Sequence, residues 1–106
     1  MDTSGDLPHA TTTVGELLVR CLALEGVDFM CGIVDGAHIP FVMHTGAHGI
    51  RYVNTHHEEA AAHIAEAYSR IAHRPCVAIG NPGPGGANLI AGLTSAQGEG
   101  HPVVAL

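Results

Sequence analysis

Four short, mostly apolar runs recur along the chain, at residues 27–33 (VDFMCGI), 50–54 (IRYVN), 76–80 (CVAIG) and 102–106 (PVVAL). Segments of helical character lie between them. A strand covered on both faces reads as a continuous apolar run, and parallel strands need a crossover of a dozen residues or more to bring the chain back in the same direction. The alternation therefore predicts an α/β fold, a parallel sheet with helices on both faces and right-handed crossovers.

The helical segments carry their own punctuation. Thr13 to Glu16 (TVGE) has the spacing of a capping box, so a helix should follow. Leu17, Leu18, Cys21, Leu22 and Leu24 are its expected buried stripe, and Gly26 can take the left-handed conformation that ends it. Residues 34–38 (VDGAH) read as a loop, and Pro40 suits the first turn of a short helix running to about Gly46. Residues 57–73 are rich in alanine and free of glycine and proline, which predicts a third helix closed by Pro75. NPGPGG (81–86) reads as a loop and residues 87–97 as the last helix. Residues 1–12 are expected to be flexible, which leaves 13–106 as one domain.

Composition narrows the functions. A chain of 106 residues supplies one small domain or part of one. Its net charge is −6, and its four basic residues, all arginine, are scattered, which argues against nucleic acid or an anionic membrane surface as partner. No run approaches the roughly 18 apolar residues of a membrane span. The acidic, polar N-terminus has no secretory or transit signal, so a cytoplasmic location is expected. Cys21, Cys31 and Cys76 are odd in number and far apart, as buried free thiols of a reducing compartment would be. The last apolar run has no helix after it to cover the sheet, so the chain reads as incomplete. Its open edge implies dependence on a partner.

The stretch HHEEAAAHIAEAYSR (56–70) holds the candidate chemistry. Zincin spacing fails, because His56 and His57 are followed one turn later by Ala60 and Ala61. His56, Glu59 and His63 could share a helix face and a metal, but such spacing arises easily among nine histidines, and a solvated face is the preferred reading. Glu58 stands at the handover from the second strand to the third helix, at the carboxyl end of a parallel sheet where ligands bind. Its neighbours on the helix, Ala61, Ala62 and Ala65, present methyl groups, and desolvation there would raise its pKa. The helix dipole would lower it instead. NPGPGG follows the third strand, lacks the residues and spacing of a phosphate loop, and suits a rigid turn that lets a flat ligand approach the backbone.

Taken in order, GIVDGAHIP (32–40), HEEAAAHIAEAYSR (57–70), GPGGANLIAGLTSA (83–96) and PVVAL (102–106) closely resemble the N-terminal pyrimidine-binding domain of thiamine-diphosphate-dependent enzymes. The pattern is similar to that of acetolactate synthase large subunits, with benzoylformate and pyruvate decarboxylases as relatives. The resemblance implies that Glu58, directly after the histidine, contacts N1′ of the cofactor's aminopyrimidine. Proton sharing there prepares the thiazolium to attack a 2-oxo acid carbonyl. It further implies that Gly83, Pro84, Gly85 and Asn88 shape the pyrimidine pocket, and that Gly36 and Ala37 lie on a loop at the site's mouth. Val34-Asp35 stands where acetolactate synthases usually show Pro-Gly.

The chain matches about four strands of a domain that has six in its relatives. By the same resemblance the cofactor is thiamine diphosphate, with Mg2+ held by a diphosphate-binding domain absent from this chain and FAD possible in a full acetolactate synthase. No metal ligand is assigned to this chain itself. Expected partners are a diphosphate-binding domain or subunit and a homo-oligomer of the full enzyme, such as a dimer, and the isolated chain should be inactive. Three other readings remain: the α subunit of a two-subunit 2-oxo acid decarboxylase, a generic nucleotide-binding α/β module, and a non-catalytic fragment.

Overall fold

Thr13 opens the first helix as its spacing with Glu16 predicts, its hydroxyl accepting the Glu16 backbone N–H at 3.1 Å. In this computed structural model, which describes residues 11–106, that helix is α1 (Val14–Leu24). There follow β1 (Phe29–Gly32), α2 (Ile39–Val42), a 3-10 turn at Gly46–His48, β2 (Arg51–Asn54), α3 (Glu58–Ala72), β3 (Cys76–Ile79), α4 (Pro84–Glu99) and β4 (Val103–Ala105). Most of the mobile start expected for residues 1–12 lies outside the described residues. Within it, the Thr12 hydroxyl donates to Glu16 Oε2 at 3.0 Å.

All four strands are parallel, in the order β2-β1-β3-β4. The α/β class with a four-stranded parallel sheet is as the alternation predicts. Every residue of β1 and β3 is buried. Met30, Val77 and Ile79 face one side with Val19 and Leu22 of α1 and Phe41 of α2. Phe29, Cys31, Cys76 and Ala78 face the other with Ala61, Ala62 and Ala65 of α3 and Leu89 of α4. From β1 the chain moves outward to β2, then crosses back to β3 and continues to β4. Crossovers of one hand that travel in opposite directions must lie on opposite faces. The carboxyl ends of β1 and β3 thereby become the point where the sheet's order reverses and a ligand can enter.

Several local expectations are corrected. α1 is turned so that Gly15, Val19 and Leu22, spaced i, i+4 and i+7, face inward. Gly15 lies so close to the Pro40 carbonyl that no β-carbon fits between them. Leu17 and Leu24 of the expected stripe are consequently exposed, and Cys21 is an exposed thiol rather than a buried one. β2 is not an apolar strand, since as an edge strand with β1 as its neighbour it exposes Arg51, Val53 and Asn54. α2 stops at Val42, short of Gly46. α4 starts at Pro84, three residues before the expected position, because Gly83 supplies the turn and proline at the first helical position costs no hydrogen bond.

Candidate functional site

Three residues carry the chain from β2 into α3 and set the site. Thr55 donates its backbone N–H to Gly32 O at 2.8 Å and its hydroxyl to His57 O at 3.1 Å. His57 is the N-cap, its Nδ1 accepting the Glu59 N–H at 3.1 Å. Glu58 thus becomes the first residue of α3, directed inward and only 7% exposed. Glu59, one residue later, is on the exposed side, 3.9 Å from His63.

The turn after β3 meets Glu58 from the other direction. Gly83 adopts φ 78°, a conformation open to glycine, and points the first turn of α4 toward α3. Gly85 is buried there, and a β-carbon on it would lie 2.9 Å from Glu58 Oε1. One turn along α4, Asn88 Nδ2 donates to Glu58 Oε2 at 3.1 Å. The structure therefore joins Glu58, Gly85 and Asn88, with Gly83 and the exposed Pro84 forming the turn that delivers them.

Electrostatics go against one expectation. Asn88's amide, with the Glu58 backbone N–H second, holds the Glu58 carboxyl below the ordinary glutamate value, outweighing burial, and His57 adds to the same effect. The methyls of Ala61, Ala62 and Ala65 belong to the core against the sheet, while the carboxylate turns to donors on α4. Donors favour the charged form, so the raised value expected from the alanine surface does not arise.

Gly36 and Ala37 sit on the loop that leaves the carboxyl end of β1. Both are exposed, and no hydrogen bond among the described residues joins them to Glu58. Asp35 bends that loop back on itself, with Oδ1 accepting the Ala37 N–H at 2.8 Å and lying 2.9 Å from Nδ1 of the buried His38. Two polar residues of the region were missed by sequence reasoning. One is His57 as a cap. The other is Asn81, two residues past the end of β3, whose Oδ1 is buried without a hydrogen-bond partner among the described residues; an amide in a turn after a strand gave no signal of its own.

Comparison with known proteins places the chain in a family. Residues 12–106 match the family described as thiamine pyrophosphate enzyme, N-terminal TPP binding domain. This chain belongs to that family. Among relatives of the thiamine pyrophosphate enzyme domain, it is 41% identical to an acetolactate synthase of Bacillus subtilis over 86% of this chain and 16% of the relative. It is 36% identical to a probable acetolactate synthase large subunit of Methanococcus aeolicus, over 86% of this chain and 15% of the relative. A probable 2-ketoarginine decarboxylase of Pseudomonas aeruginosa is 33% identical over 93% of this chain and 18% of the relative. The chain thus spans less than a fifth of these relatives' length. A thiamine diphosphate-dependent 4-hydroxybenzoylformate decarboxylase of Rhodococcus jostii superposes with a TM-score of 0.79 over 89% of this chain and 18% of the other, and its 24% identity makes this a likeness of fold. The thiamine pyrophosphate enzyme domain described here has no helix, among the described residues, long and apolar enough to cross a membrane.

Proposed function

We propose that this chain is the cofactor-activating N-terminal segment of a thiamine-diphosphate-dependent 2-oxo acid enzyme with acetolactate synthase-like carboligation. It works only with a diphosphate-binding domain or subunit, which would hold Mg2+ and the diphosphate. The observation that carries the reading is the buried Glu58 carboxylate, held by Asn88 and set against Gly85 where the sheet's order reverses.

The residues present fit the aminopyrimidine. Such a ring offers a nitrogen that needs an acidic partner and a flat face that needs bare backbone beside it. Glu58 provides the first and Gly85 the second. When bound, thiamine diphosphate supplies the carbon nucleophile that adds to the 2-oxo acid carbonyl. Glu58, an anion in the free chain, holds a proton at the ring nitrogen by a charge-assisted hydrogen bond. Asn88 keeps the second carboxylate oxygen fixed, so the first is presented in one orientation. A second reading, decarboxylation of a 2-oxo acid without carboligation, is supported by the 2-ketoarginine decarboxylase relative and by Asp35, a carboxylate 37% exposed on the loop after β1.

Calorimetric titration with thiamine diphosphate and Mg2+, first of the chain alone and then with a diphosphate-domain partner, tests the proposal. Heat is expected only with the partner. In that assembly Glu58→Gln should slow turnover about a hundredfold or more, the scale of a lost proton-transfer group. Glu59→Gln should change it little, and equal losses would refute the assignment.

A further inference from the structure

Glu58 and Asn81 flank the face that Gly85 leaves bare. A β-carbon on Gly85 would lie 2.9 Å from Glu58 Oε1 and 3.0 Å from Asn81 Cβ. Without that carbon the two side chains have room to approach. Each also has unused capacity. Asn81 Oδ1 is a buried acceptor with no donor, a state that native proteins rarely leave unexplained. Glu58 Oε2 takes the Asn88 amide, whereas Oε1 has no side-chain partner among the described residues. A donor such as Asn88 Nδ2 serves the ionised carboxylate, and an acceptor such as Asn81 Oδ1 can serve only the protonated one.

We infer that Asn81 is a positioning residue for Glu58. When Glu58 carries a proton on Oε1, that O–H donates to Asn81 Oδ1; when the proton leaves, the carboxylate rests on Asn88. Both protonation states of the acid then have a defined orientation, as a group that passes a proton back and forth requires. The inference deepens the proposed function and rests on it for the use made of the proton, but not for the contact itself.

Few other charges bear on Glu58. His57 precedes it, and the exposed Glu59 and His56 lie beside it on the same segment. α4 carries no titratable side chain before Glu99, and the β3 turn carries none. The β1 side brings the Cys31 thiol, which donates to Ala61 O, and the paired Asp35 and His38 of its loop.

The test is a carboxyl 13C NMR titration of the chain, with the Glu58 signal assigned by its loss in Glu58→Gln. Asn88→Ala should raise the midpoint by removing a donor to the anion. Asn81→Leu should lower it by about half a pH unit or more, the scale of one net hydrogen bond to the neutral form. If Asn81 merely lined the site, the apolar leucine would raise the midpoint by desolvation, so the two cases differ in sign. An unchanged or raised midpoint in a folded Asn81→Leu chain overturns the inference. Should that variant not fold, Asn81→Asp replaces it. Contact then requires two coupled titrations with the Glu58 step moved upward, and independent titrations overturn the inference. Calorimetry with thiamine diphosphate, Mg2+ and the partner domain separates this result from the function: failure to bind sinks the functional reading and leaves the NMR result standing.

Discussion

The two faces of the sheet are built from different materials. Toward α1 and α2 the core consists of large side chains, among them Val19, Leu22, Met30, Phe41, Ile50, Val77 and Ile79. Toward α3 and α4 it is made chiefly of alanine and cysteine, with Phe29 and Leu89 as the large members. Gly92 of α4 sits so tightly against Ala62 of α3 that a β-carbon there would lie 2.7 Å from the Ala62 carbonyl carbon. Thiols fill the small spaces beneath, Cys31 Sγ donating to Ala61 O at 3.2 Å and Cys76 Sγ to Phe29 O at 3.3 Å. The neighbouring Cys31 thiol and burial hold the Cys76 thiol well up, so it stays protonated. Large side chains keep helices at a distance and can shift rotamer, whereas small ones let backbones touch and leave nothing to adjust. The site lies on the second kind of face, and the meeting of Glu58 with Asn88 depends on how α3 and α4 are held together.

If that is the difference, the faces should fail in opposite ways: the α3/α4 face through added atoms, the α1/α2 face through deleted ones. The largest effect is expected for Gly92→Val, which places a branched side chain where no β-carbon fits. It should cost about 3 kcal/mol or more, at the upper end for overpacking, and urea unfolding measures it. A loss below about 1 kcal/mol would show that close helix contact is not what sets the site. On the other face Met30 is fully buried. Met30→Ala should cost about 2–3 kcal/mol through lost burial and the cavity left behind, read from the same melts.

The faces also differ in how their carboxylates respond to acid. Glu58 has its pKa lowered chiefly by Asn88, and Glu16, on α1, has its own lowered chiefly by the Thr12 hydroxyl, with His48 contributing. A carboxylate with a lowered folded-state value binds fewer protons folded than unfolded, so stability rises with pH between the two values. The contribution is complete above the ordinary glutamate value of 4.5 and disappears as pH falls from there through the folded value. Thermal melts between about pH 6 and pH 3 should show the loss, and Glu58→Gln should remove its share. Glu16→Gln should remove less, because a partly exposed carboxylate on a hydroxyl is more strongly screened. Equal flattening by the two variants would mean that the Asn88 contact adds nothing special to this site.

What could be read in the sequence follows the same division. The meeting of Glu58 with Gly85 and Asn88 was legible through the motifs this chain shares with a known family, and the strands were legible because β1 and β3 are apolar at every position. Asn81 was hidden because an amide after a strand has no pattern of its own until its oxygen is seen to lack a donor. The face of α1 was right for Leu18 and Leu22, which reach the core, and wrong for Leu17, Cys21 and Leu24, because the helix carries two overlapping apolar stripes and periodicity cannot rank them. Gly15 decided between them: its contact with Pro40 selects Val19 and Leu22, and leaves Leu24 85% exposed. That choice gives the smallest expected effect. Leu24→Gln should change stability by less than about 0.5 kcal/mol, as at an ordinary surface position. Leu22→Gln, two residues earlier, would bury an unpaired amide and should cost at least 2 kcal/mol, to order of magnitude. Urea melts of the pair decide it. A costly Leu24→Gln would mean that the stripe expected from the sequence is covered in solution after all, and that the contrast between the faces lies in what each one meets outside the chain.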